Sequence, residues 1–358
     1  MKSPTKIAVL ASPNTGSYSL FREQIQPLLD NRAEIYLTSD RAQLSRAVDQ
    51  IFAQQPEIVV ICGGDGAQHV CLTMLANRYA QAGVALPQIL MLALGTMNDA
   101  ASSLKVNHPV SLLRDVLSKL DRGQSLEIKL FRPMTVNGEI AFMYGAGIPV
   151  AFLERYYRDK PAGAGGGSIG GFLTVGTVVW SEIFIELGLA DNQGWLQRLL
   201  YLLGLGDVTG WLNELLDILG MSDAAEWQAK DLLVRFSSES LDQSTGDFVH
   251  YTGLMASVIS QIGLGFKAFP HTMNHQGSFT LLTTNLSFAE IIACAPFILL
   301  GDQVEGIDNR VLKRVVIEYS QPTVRAVDGD IKDPFRDPNI HPTKDVLGIG
   351  PILEIIMG

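Results

Sequence analysis

A run of five apolar, mostly β-branched residues, Ile58-Val59-Val60-Ile61-Cys62, passes directly into Gly63-Gly64-Asp65-Gly66. A short apolar run without polar alternation reads as a strand buried on both faces, the kind found in parallel sheets flanked by helices. Glycines at its end let backbone N–H groups approach phosphate oxygens without Cβ clashes, and a helix N-terminus there adds partial positive charge. Gln88–Leu94 repeats the arrangement and ends in Gly95-Thr96-Met97-Asn98-Asp99. Two polar, glycine-bearing loops at the carboxyl ends of neighbouring parallel strands form a crevice of the type that binds ligands. Thr96 and Asn98 offer side-chain hydrogen bonds, and Asp99 is a candidate helix N-cap.

The surrounding pattern extends this unit. Lys6–Ala11 and Glu34–Leu37 read as strands; Leu20–Leu29, Ala42–Gln54, Val70–Ala82 and Val110–Leu120 read as helices. Ser12-Pro13-Asn14-Thr15-Gly16 and Thr38-Ser39 end two more strands, so four loops outline one crevice. Near Gly123 the pattern changes to short strands with turns, Asn137-Gly138 being the best hairpin signal. Further strands are expected at Leu232–Phe236, Thr252–Ser260, Ser278–Thr283, Lys313–Tyr319 and Thr323–Val327. The class is therefore α/β plus β. An α/β domain spans 1–122, a mostly antiparallel β domain spans 123–335, and a C-terminal segment, 336–358, returns to the first domain through Ile352–Ile356. Trp195–Leu203 and Trp211–Leu219 carry similar Trp-Leu faces around a glycine turn, which predicts a helical hairpin inserted at about 190–223.

Composition narrows the function. With 358 residues, 47% hydrophobic and 18% charged, the chain is long enough for two or three domains. Its formal charge of −10 argues against a general nucleic-acid binder. Cys62, Cys71 and Cys294 are odd in number and lack metal-ligand spacing, which suits a reducing cytosol. The N-terminal apolar run is too short for a secretory signal, and no stretch reads as a membrane span. No P-loop sequence occurs, and no Gly-x-Gly-x-x-Gly follows the first strand.

Val59–Gly66, followed by Leu94–Asp99, resembles the diacylglycerol kinase catalytic-domain family, which includes bacterial soluble lipid kinases and the sphingosine and ceramide kinases. The resemblance continues through Ser12–Gly16, Thr38, Asp121-Arg122-Gly123, Gly145–Ile148, Ile262–Pro270 and Val327-Asp328-Gly329-Asp330. It implies a Rossmann-like first domain, a β-sandwich second domain carrying the helical insertion, and ATP in the crevice. It implies transfer of the γ-phosphoryl of ATP, with Mg²⁺, to a lipid hydroxyl of diacylglycerol-like or sphingoid type. The nucleotide-binding residues carried over are Asn14, Thr15, Thr38, Gly63, Gly64, Asp65, Gly66, Gly95, Thr96, Asn98 and Asp99, with Asp65 the candidate metal ligand. Asp328 is the candidate general base and Asp330 the next in line.

Three departures accompany the match. Ala67 stands where the family has threonine, His69-Val70 where it has Asn-Glu, and Asn274–Gly277 where it has an acid-rich segment, so an accessory metal site is expected to be absent. Two alternatives stay open: a nucleotide-binding or interaction protein with weakened catalysis, and a kinase of a non-lipid alcohol. The hairpin around Trp195–Leu219 is expected to pack on the β domain, to pair two subunits in a homodimer, or to touch a membrane surface transiently. The expected location is cytoplasmic, peripheral to the membrane in the last case.

Overall fold

The computed structural model describes residues 5–95, 98–106, 108–159, 232–237, 247–260, 268–269, 272, 277–287, 290–291, 294, 297–298 and 302–357. The expected hairpin Trp195–Leu219, Thr96, Asn274–Gln276 and most of Ile262–Pro270 lie outside them.

Alternating strands and helices open the chain: β1 (Ile7–Ala11), α1 (Tyr18–Leu20), a π-helical turn (Phe21–Ile25), α2 (Gln26–Leu29), β2 (Ala33–Leu37), α3 (Arg41–Gln54), β3 (Ile58–Gly63), α4 (Asp65–Gln81), β4 (Gln88–Ala93), α5 (Asp99–Leu104) and α6 (Pro109–Asp121). With β5 (Ile128–Phe131) and β18 (Leu353–Ile356), the strands form one sheet in the order β2-β1-β3-β4-β18-β5. All its pairings are parallel except that of β5 with β18. The chain moves from β1 outward to β2 and then back across to β3, so the strand order reverses beside β1. Such a switch point opens a crevice at the carboxyl ends of the strands. The apolar runs are buried on both faces, as expected. Leu10, Val59, Ile61 and Met91 point into one apolar cluster with Leu44 and Leu75. Val9, Val60, Cys62 and Leu92 point into another with Phe21 and Val116.

Two further six-stranded sheets contain only antiparallel pairs. One comprises β6 (Met134–Val136), β7 (Glu139–Ala141), β9 (Leu232–Ser237), β10 (Val249–Tyr251), β14 (Val315–Tyr319) and β17 (Lys344–Ile349). The other comprises β8 (Met143–Gly147), β11 (Gly253–Ser257), β12 (Phe279–Thr284), β13 (Ile307–Leu312), β15 (Arg325–Val327) and β16 (Asp330–Lys332). Val136, Phe236 and Ile317 of the first share a single apolar cluster with Tyr144, Leu254 and Phe279 of the second. A polar knot sits inside it. Arg325 and Asp345 are both buried and pair at 2.9 Å. Asp345 also accepts from the Tyr144 hydroxyl at 2.5 Å and from Asn137 Nδ2 at 2.7 Å. Arg325 donates to the carbonyls of Thr323 and Pro342 at 2.7 and 2.9 Å. Every charge is answered by a partner, as a buried ion pair requires.

Several elements differ from the sequence reading. The expected helix over Leu20–Leu29 is three short helical segments, because Pro27 has no N–H to continue the ladder and the winding loosens before it. Helix α4 starts at Asp65 rather than Val70, since extended Gly64 serves directly as its N-cap. Helix α7 (Ile148–Asp159) and strands β10, β13, β16 and β17 were not anticipated. Of 336–358, Leu353–Ile356 enters the parallel sheet, whereas Lys344–Ile349 pairs with β14 and β6. The Asn137-Gly138 hairpin is present, with positive φ at both residues as a type I′ turn demands. Among the described residues no helix is long and apolar enough to cross a membrane.

Candidate functional site

At Gly64 and Gly95 the loops after β3 and β4 meet main chain to main chain. A Cβ on Gly64 would lie 2.7 Å from Gly95 Cα, and one on Gly95 would lie 2.3 Å from Gly64 Cα. Neither glycine admits a side chain, because the other's main chain fills the place. The β4 loop is then tied by Asn98, which takes a left-handed backbone at φ 54°. Its Oδ1 accepts the Gly95 N–H and its Nδ2 donates to the Gly95 carbonyl, both at 2.8 Å. The Asn98 side chain thus braces its own loop. Asp99 is the first residue of α5 rather than its N-cap, and Asn98 occupies the cap without a side-chain bond. Capping comes from Asp65 instead. Its Oδ2 accepts the Asp99 N–H at 2.8 Å and its Oδ1 the Ala100 N–H at 3.1 Å. Burial pushes the Asp65 carboxyl up to about 6, against the pull of those donors and with a further push from Asp328.

Asp328 and Gly329 form the two-residue turn between β15 and β16, with φ 49° and 80°. This turn reaches the glycine tetrad: a Cβ on Gly66 would find the Asp328 carbonyl oxygen at 3.8 Å. The Asp328 side chain is only 1% exposed. Its Oδ1 accepts the N–H groups of Phe142 and Met143 at 3.0 and 2.8 Å. Its Oδ2 stands 3.2 Å from His69 Nδ1. On the other side of the ring, His69 Nε2 lies 3.3 Å from Glu139 Oε2. Both contacts are off the line of a hydrogen bond, so charge rather than alignment joins them. Burial would lower the imidazole pKa, but the two carboxylates outweigh it and raise it to about 9. The Asp328 carboxyl is raised by burial, which exceeds the stabilisation by His69 and the backbone donors. Asp330 lies outside this cluster, more than half exposed and paired with Lys332 at 2.7 Å.

The β1 and β2 loops close round the same strand ends. Thr15 Oγ1 donates to the Leu94 carbonyl at 2.9 Å, and Asn14 Nδ2 to the Ser39 carbonyl at 3.1 Å. Thr38 is buried and its N–H reaches the Ala11 carbonyl, while Asp40 caps α3 through the Gln43 N–H. The structure therefore brings Thr15, Gly63, Gly64, Asp65, Gly66, Gly95, Asn98, Asp99 and Asp328 together. Glu139 and Thr73 carry no motif that marks them, and His69, which the sequence offers as a loop or core histidine or else as the replacement for an ionic contact, makes the ionic contact. Asp65, His69 and Thr73 are spaced four apart on α4, a polar stripe that could have marked the contact.

The α4 end of this site is a helix N-terminus, the kind of end that favours an anionic group. Gly64 caps the 17-residue helix without a side-chain bond, and a Cβ on Gly16 would meet nothing within 4 Å. A Mg²⁺ cage does not fit: among the described residues no group of three His, Cys, Asp or Glu side chains could hold a metal ion, His69 standing between the Glu139 and Asp328 carboxylates, and both Asp65 oxygens already accept backbone donors. A depression of about 850 Å³ lies at the opposite ends of the strands, lined by Lys6, Asn31, Arg32, Gln54 and Asp121. It is remote from the motif loops, and parallel sheets bind ligands at the other end.

The family model described as the diacylglycerol kinase catalytic domain matches residues 6–132. No curated protein matches. Among solved structures, a diacylglycerol kinase from Bacillus anthracis str. Sterne is similar, with a TM-score of 0.58 and 12% identity over 100% of this chain and 98% of that one. "A putative diacylglycerol kinase" from the same organism has a TM-score of 0.59 and 15% identity over the same shares. At such identities the likeness is one of fold.

Proposed function

We propose that this protein is an ATP-dependent lipid kinase that transfers the γ-phosphoryl of ATP to the hydroxyl of a diacylglycerol-like or sphingoid lipid. The observation that carries the reading is the contact between the Asp328 turn and Gly66, residues 262 positions apart by 328 − 66. It sets a buried carboxylate beside a glycine loop at a helix N-terminus. The phosphates lie on the Gly63–Gly66 and Gly95 loops, with Asn14, Thr15 and Thr38 shaping the rim. Any Mg²⁺ required would come with the nucleotide rather than from a protein cage and would offset phosphate charge. The acceptor oxygen forms its bond to the γ-phosphorus as the bond to the bridging β–γ oxygen breaks, and ADP leaves. Asp328 takes the hydroxyl proton. Its raised pKa makes it a stronger base than a solvated carboxylate.

In this reading residues 1–122 bind nucleotide, 123–335 form a β-sandwich that receives the lipid, and 336–358 lead back to the first domain through Leu353–Ile356. Lipid access implies transient contact with a cytoplasmic membrane surface. The pairing of β18 with β4 supports the return of the chain end.

The test is transfer from γ-labelled ATP by the full chain to detergent micelles containing diacylglycerol or a sphingoid base, with glycerol as a soluble alcohol. Label in a lipid is expected. Label in glycerol alone would favour the non-lipid alcohol, and none in any acceptor would sink the kinase reading.

A further inference from the structure

Helix α4 meets two other elements along one polar stripe. Thr73 Oγ1 accepts the Ile140 N–H at 2.9 Å, and one turn earlier His69 faces Glu139 of β7 and Asp328 of the β15–β16 turn. The ring is 1% exposed, so water cannot stand in for either partner. A neutral imidazole has one N–H and one lone pair. One of the two carboxylates, the buried Asp328 or the partly exposed Glu139, would then face a lone pair at 3.2 or 3.3 Å. The doubly protonated ring meets both carboxylates with positive charge.

We propose that His69 is a positioning residue: its imidazolium, held between Glu139 and Asp328, fixes the Asp328 carboxylate against α4 for the phosphoryl transfer. The catalytic part rests on the kinase reading; the clamp itself does not. Asp328 Oδ1 accepts the Phe142 and Met143 N–H groups, and Oδ2 accepts the Phe142 N–H at 3.2 Å with His69 the cation beside it. The other charges in reach are Arg41 of α3, 3.8 Å from Glu139, Lys332 of β16, which acts on Glu139 and pairs with Asp330, and Asp65 of α4, which acts on Asp328. Positive and negative groups alternate through the cluster, with His69 the buried link.

The experiment uses the full chain. The His69 ring is titrated by NMR in wild type and in Glu139→Gln, and kcat and KM are measured against pH for wild type and His69→Gln. The ring should titrate near 9 in wild type, as the flanking carboxylates dictate, and lower in Glu139→Gln. His69→Gln should lower kcat by up to roughly 10²-fold, the scale of a misplaced reacting group, with KM for ATP unchanged. Wild type should lose kcat above pH about 9, and His69→Gln should lack that fall. A wild-type ring titrating at or below its ordinary value of 6.5 would overturn the clamp. A His69→Gln enzyme with wild-type kcat and pH profile would overturn the positioning role. If that variant does not fold, Glu139→Gln carries the kinetic test, and an unchanged profile there counts against the proposal. Should wild type transfer phosphoryl to no acceptor, the kinase reading fails while the ring titration still decides the clamp.

Discussion

Asp65 on α4 caps α5 by accepting the Asp99 N–H at 2.8 Å, so one carboxylate couples the two loops of the crevice. Asp65→Ala should lose about 1 kcal/mol of stability, the usual value of a cap, and should release the β4 loop. A separate pH term follows from the raised pKa, whose main cause is burial. The folded carboxyl binds its proton more tightly than the unfolded one, so this burial-linked contribution is full below the unfolded value of 3.8 and lost as pH rises through about 6. Asp65→Asn should remove that dependence, read as Tm against pH between 3.5 and 7. A wild-type curve parallel to the variant's would contradict it.

The sequence alone suggests that Gly64→Val would only block phosphate while leaving the fold intact. The 2.7 Å approach of its Cβ to Gly95 Cα predicts more. The loops must separate, costing roughly 1–3 kcal/mol, the scale of overpacking. Even Gly64→Ala should lower Tm together with nucleotide affinity. Gly16→Ala, where nothing lies within 4 Å, should stay within about 0.5 kcal/mol of wild type.

Asp328→Asn should keep ATP affinity near wild type and lower turnover by roughly 10²–10⁴-fold, the usual contribution of a general base. ATP binding by calorimetry and turnover by label transfer check it together. Near-normal turnover would move the role elsewhere, with Asp330 next.

The His69–Glu139 contact also predicts a stability window. His69 is raised above 6.5, so its contribution is full below that value and lost as pH rises through about 9. Glu139 is lowered, by the His69 contact first, so its contribution is present above 4.5 and lost as pH falls through about 2. The Tm difference between wild type and His69→Gln should be greatest between pH 4.5 and 6.5, and a flat difference from pH 3 to 10 would argue against the pair.

Arg325→Met should cost about 3–5 kcal/mol, because Asp345 would remain buried without its cation. Denaturant unfolding reads this directly, and a loss under 1 kcal/mol would show that the Tyr144 and Asn137 bonds suffice.

Local chemistry made the parallel sheet legible. Runs such as Ile58–Cys62 can be buried only on both faces, and glycines directly after them leave little choice but a tight strand-to-helix turn. The Asn137-Gly138 hairpin was legible for the same reason, since few residue pairs accept two positive φ angles. Helix α7 was not, because Ile148-Pro149-Val150-Ala151-Phe152-Leu153 is β-branched and aromatic at its start, and burial overrode propensity. The glycine loops and Asp328 were visible as motifs, but not their separation in space. That Gly64 lies on Gly95, that Asp65 caps another helix, and that His69 stands between Glu139 and Asp328 depend on contacts between residues up to hundreds of positions apart. Sequence spacing carries no record of such distances; the packing of α4 against β7 and the β15–β16 turn sets them.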